Sequence, residues 1–149
     1  MQFKDTMEMT GSLKITVTDA TGKVKEEREV PNLVVTVGKT FIASRMVGTA
    51  STVMGYMEVG TGTTAPAAGD TALQAAIAAS RTALTSGTSS SNVATYVTTF
   101  AAGVGTGAIT EAGIFNAASA GTMLCRTVFS VVNKGANDTM TITWAVTVN

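Results

Sequence analysis

Beyond residue 29 the chain carries four carboxylates, Glu58, Asp70, Glu111 and Asp138, and five cations, Lys39, Arg45, Arg81, Arg126 and Lys134. Two acids held a few ångströms apart in one cleft can perform general acid–base chemistry on a glycan. Here the four are spread along the chain, and Glu58 and Glu111 each stand alone in otherwise uncharged, strand-like sequence. Acids so placed are expected to pair with an arginine such as Arg81 or Arg126. There is no histidine, so the side chain most used as a general base near neutral pH and the commonest metal ligand are both missing. Cys125 is the single cysteine. It cannot form an internal disulfide and reads as a small buried apolar residue. No catalytic, cofactor or metal site is expected.

Two glycine clusters, Gly60 with Gly62 and Gly103 with Gly105 and Gly107, supply backbone amides of the kind that cradle anions. Neither is followed by Gly-Lys-Ser or Gly-Lys-Thr, so loop and hairpin geometry is expected in place of phosphate binding. Asn137, Asp138 and Thr139 match a glycosylation acceptor pattern but read better as a turn before the last strand.

These residues are spread over 149 positions, 45% of them hydrophobic and 13% charged, with zero net charge. Such a chain can bury one core. It is neither a disordered polyelectrolyte nor a basic nucleic-acid binder. No apolar run reaches the length of a membrane span, and the opening residues lack a signal-peptide core. Eleven of the 20 charges fall in the first 29 residues. The remainder exposes mainly Thr, Ser, Ala and Gly, a surface expected to be partly covered in an assembly.

Residues 1–11 read as an arm or edge segment holding Phe3, Met7 and Met9 among charges. Methionine adapts to irregular partner surfaces, although Met7 and Met9 can equally pack along the protein's own sheet. Residues 12–149 read as a single β domain that starts with a charged hairpin over 12–30. Leu13, Ile15 and Val17 alternate with polar residues, and KVKEEREV then supplies a charged strand that guards a sheet edge. LVVTV at 33–37 predicts a buried strand, residues 39–47 a short helix, and 52–59 a strand interrupted at Gly55. Asp70 is placed to cap a second short helix over 71–80. Strands follow at 81–86, 93–101, 108–116 and 122–132, with a turn-prone run at 87–92. The clearest strand is the last, where Met140, Ile142, Trp144, Val146 and Val148 share a face. About nine strands with turns every 8 to 12 residues predict an all-β sandwich, jelly-roll-like or Greek-key, with one or two short helices.

Two stretches go beyond pattern. Residues 58–73, EVGTGTTAPAAGDTAL, with Arg81, and residues 109–129, ITEAGIFNAASAGTMLCRTVF, followed by TMTITWAVTV, resemble a module of tailed-bacteriophage structural proteins. The resemblance covers roughly residues 33–149 and extends to tail-fibre and tail-collar proteins. It implies a non-enzymatic virion protein, most like a small capsid cement or decoration protein. Such a protein is made in the bacterial host cytoplasm, sits on the outside of the shell and bridges major capsid proteins against the pressure of packaged DNA. A tail fibre, tail adaptor or baseplate component, with or without glycan binding, is the alternative. The implied partners are the major capsid protein and further copies of this chain, as a dimer or trimer, with no direct nucleic acid and no membrane. The contact elements expected are the arm and the charged hairpin, through Phe3, Met7, Met9, Lys14, Lys23, Lys25 and Arg28.

Overall fold

The computed structural model describes residues 5–49 and 52–149 and is an all-β sandwich of two five-stranded antiparallel sheets with one helix. The first sheet has the order β2 (Val24–Pro31), β1 (Met9–Thr18), β10 (Thr139–Val148), β7 (Val93–Phe100), β6 (Ser86–Ser90). The second has the order β3 (Leu33–Val34), β9 (Met123–Lys134), β8 (Gly107–Phe115), β4 (Tyr56–Gly60), β5 (Thr82–Ala83). The helix α1 spans Thr36–Met46. The first long strand thus lies beside the last, with Leu13 opposite Trp144 and Ile15 opposite Ile142.

Alternation sets the core. Leu13, Ile15 and Val17 of β1 and Met140, Ile142, Trp144 and Val146 of β10 turn inward, where Ile109, Ile114, Cys125 and Val132 of the other sheet meet them. In β8 the inward register breaks at a bulge between Ile109 and Glu111. Across it β8 advances two residues, Ile109 to Glu111, while β9 advances four, Val132 to Val128, so the ladder loses step and the facing of β8 changes. Ile109 therefore points inward before the bulge and Ala112 and Ile114 after it, while Glu111 and Phe115 emerge on the opposite face of the sheet. There Phe115 joins Val35 and Met123 in a second, smaller apolar cluster with Leu73 and Tyr56 against it.

Several expectations are corrected. The strand over 33–37 stops after Val34, and helix begins at Thr36. The β-branched residues are overruled by tertiary bonds. The Val35 and Thr36 amides donate to the Leu124 and Ala68 carbonyls, and Gly38 lies so close to β9 that a Cβ there would fall 2.1 Å from the Leu124 oxygen. Residues 71–80 form no helix. An alanine-rich segment of that length is marginal alone, and three of its amides are taken by partners outside the segment. Gln74 and Ala75 donate to Glu111, and Ile77 to the Val59 carbonyl. The run 87–92 is mostly strand: β6 pairs with β7 from Ser86–Val97 to Ser90–Val93, leaving Ser91 and Asn92 as a two-residue turn with Ser91 at φ 51°. The arm is shorter than residues 1–11, because β1 starts at Met9, which pairs with Val148.

Candidate interaction surface

The acids and arginines of residues 58–126 gather on the outer face of the second sheet. Arg126 of β9 and Glu111 of β8 are both fully buried. The Arg126 Nε and Nη2 donate to Glu111 Oε2 at 2.9 and 2.8 Å, Nη1 reaches Asp70 Oδ2 at 2.8 Å, and Nη2 also reaches the Thr64 carbonyl. The other Glu111 oxygen accepts the amides of Gly62 and Ala75, and Gln74 donates to Oε2. A Cβ at Gly60 or Gly62 would lie 2.5 Å from that carboxylate. The glycine-rich loop therefore does cradle an anion, and the anion is the protein's own glutamate. Burial pushes the Glu111 carboxyl upward, but the Ala75 and Gln74 amides and Arg126 outweigh it and hold the group below its ordinary range. Beside this cluster Arg81 Nη2 donates to Glu58 Oε2 at 2.8 Å, Nη1 reaches the Ala117 and Ala120 carbonyls, and the guanidinium carbon lies 3.5 Å from the Phe115 ring centre.

Glu58 and Glu111 thus pair with Arg81 and Arg126, as their isolation in uncharged strands predicts. What these groups do is fasten the long loop over 61–80 to the sheet. Asp70 does not cap a helix; it accepts the Ala67 amide and pairs with Arg126. Asp138 sits in the turn before β10, where Lys25 at 2.6 Å and the Gly135 amide hold its carboxyl below the ordinary value. Cys125 is fully buried, and burial pushes its thiol well above the ordinary range, which leaves it unreactive. Among the described residues no group of three His, Cys, Asp or Glu is placed to hold a metal ion, and no helix is long and apolar enough to cross a membrane.

The residues expected at an interface fall into two groups. On the β1–β2 hairpin, Lys14 pairs with Glu27, Lys25 with Asp138 and Arg28 with Glu26. Lys23 is the one member of this set in no ion pair among the described residues. Arg28 and Glu26 lie on the inward-facing side of an edge strand, an arrangement that discourages stray strand pairing. The second group is at the other end of β1. Phe3 lies outside the described residues. Met7 is 63% exposed and, with Met9, Ile42 and Met46, lines a hollow of about 150 Å³ against α1. Met9 is half-buried in β1 and also borders the next hollow, so it packs on the protein's own sheet.

Sequence reasoning missed α1 as a surface element. Its only buried residue is Gly38, and at its end Met46, which shares a hollow with Met7, and the following Val47 are 76% and 74% exposed. Between α1 and the β6–β7 hairpin run two further connected hollows of about 260 and 370 Å³, floored by Ala94 and Tyr96 and walled by Phe41. The exposed methionines were visible in the sequence; their convergence with the helix was not. Comparison with protein-family models, curated protein sequences and solved structures found no match to this chain.

Proposed function

We propose that this chain is a structural protein of a tailed-phage virion that binds the outside of the capsid shell and bridges major capsid proteins. The observation that carries the reading is the exposed apolar pair Met7 and Met46 where the arm meets α1, with exposed Val47 following Met46 in the chain. Large exposed apolar side chains gathered at one place mark a surface that another protein covers. The charged hairpin lies at an edge of the same sheet, and its mixed signs suit register-fixing contacts more than tight binding. The resemblance of residues 58–73 and 109–129 to phage structural modules supports the virion setting. Those two segments are the ones tied together by Glu111, Arg126 and Arg81, so they carry a scaffold. A protein that binds only the assembled shell shifts the equilibrium toward intact capsid by mass action.

Gold-labelled antibody on intact particles of the encoding virus tests the location. Label over the head supports a cement role, and label confined to the tail replaces it with the adaptor or fibre reading. The surface itself is tested by Met46→Asp with Val47→Asp, positions with no core contact. The double variant is expected to fold normally and to bind shells at least about tenfold more weakly, the scale of an interface anchor. Unchanged occupancy on purified capsids removes this face from the contact.

A further inference from the structure

We propose that β6 is an acceptor edge for strand addition, and that its occupant is the N-terminal segment of a second copy, residues 1–4, Met-Gln-Phe-Lys. The proposal rests on the expectation, from the scarcity of charge beyond residue 29, that part of the surface is covered in an assembly.

An open sheet edge is a template for another chain unless charge, proline or brevity blunts it. The β2 edge carries five consecutive charged residues, Lys25 to Glu29, and ends at Pro31; β3 and β5 are two residues each. β6 is Ser-Gly-Thr-Ser-Ser, five residues with no charge and no proline, all of them exposed. Its hydrogen-bonding parity follows from its neighbours. The Val148 amide donates to the Asn92 carbonyl, so even-numbered residues of β7 bond toward β10 and odd-numbered ones toward β6. Ser86, Thr88 and Ser90 therefore bond to β7, and Gly87 and Ser89 turn their backbone groups to the open side.

The same two residues share the core-side face with Tyr96 and Ala94, their partners across the ladder. Both are small, and the hollow of about 370 Å³ bounded by Phe41, Val53, Met54 and Tyr96, with Arg45 on its wall, lies over them. A strand added to β6 would place the side chains opposite Gly87 and Ser89 in that hollow. The occupant must be extended and apolar at alternate positions. β6 itself has no apolar side chain, so pairing with its own copy leaves the hollow empty. In residues 1–4, Met1 and Phe3 alternate with Gln2 and Lys4.

The arm cannot serve its own β6. From β1 across β10 and β7 to a position beyond β6 is four strand spacings, about 19 Å. Lys4 to Met9 spans at most about 18 Å fully extended, Glu8 is held by the Asn149 amide, and Met7 is turned toward α1. An own-chain arm would also run parallel to β6, whereas a neighbour's arm is free to enter antiparallel. Reciprocal exchange closes a dimer, and head-to-tail exchange closes a ring such as a trimer.

Sedimentation velocity on the full chain and on three variants tests this. Ser89→Pro removes an outward amide, a change tolerated at a free edge. Gly87→Lys fills the hollow with a long chain and sets a second cation beside Arg45, and its Cβ meets only Leu84 and Tyr96 at ordinary contact distance. The third variant lacks residues 1–4. The full chain is expected to self-associate, and each variant to do so at least about 30-fold more weakly while melting within a few degrees of the full chain. Mixing the truncated chain with Gly87→Lys is expected to restore a one-to-one complex, because one supplies the edge and the other the arm. A monomeric full chain overturns both exchange and self-association. An oligomer that survives all three changes, or a mixture that stays monomeric, overturns exchange alone.

Discussion

Replacing Glu111 with alanine is expected to lower the unfolding free energy by about 3–5 kcal/mol, the usual cost of removing one member of a buried pair. The change leaves the Arg126 guanidinium fully buried with only Asp70 and the Thr64 carbonyl, and strips the acceptor from the Gly62, Gln74 and Ala75 amides. Urea unfolding at neutral pH measures the loss, and faster amide exchange at Gln74 and Ala75 localises it to the loop. Glu111→Gln keeps the shape and an acceptor but removes the charge, so its cost is expected to be smaller. The two differ from wild type in pH dependence as well. The folded-state carboxyl is held below the ordinary value of 4.5, so folding favours the ionised form. The stabilisation is complete above the unfolded-state value and is lost as pH falls through the folded one. Wild type is therefore expected to weaken below about pH 4.5 more steeply than Glu111→Gln, and equal slopes would remove Glu111 from the acid response.

Arg81→Ala is expected to cost about 2–4 kcal/mol. Arg81 and Glu58 are 14% and 15% exposed, and the arginine has three tasks at once. It neutralises Glu58, satisfies the Ala117 and Ala120 carbonyls, and covers the Phe115 ring. Alanine abandons all three and opens the smaller apolar cluster to water. Arg81→Lys keeps the charge but not the planar fork, so it is expected to recover less than half of the loss. Thermal unfolding of the two variants makes the comparison; a lysine variant as stable as wild type would reduce the site to simple charge pairing.

Much of this was legible in the residues. The alternation of Leu13, Ile15 and Val17 and of Met140 through Val148 set two strands and their buried faces, and the turn spacing set a sandwich. The solitary acids among uncharged strands pointed to arginine partners, and the lone cysteine to burial. Local reasoning failed where backbone donors were claimed from a distance. Helix propensity over residues 71–80 lost to a carboxylate 37 and 36 residues away that takes the Gln74 and Ala75 amides. Strand propensity at Val35 and Val37 lost to β9. Ser86–Ser90, with little strand propensity of its own, was drawn into a sheet by the ladder that Val93–Phe100 offered.

The sequence by itself therefore determined the class of the protein, a sparsely charged β domain with a charged leading hairpin, because side-chain period and composition are local properties. Only the tertiary structure decided the strand order, the bulge that turns Glu111 out of the core, and the meeting of Met7 with Met46. Each of those depends on contacts between residues far apart in the chain, and the energy that selects them exists only once both partners are in place.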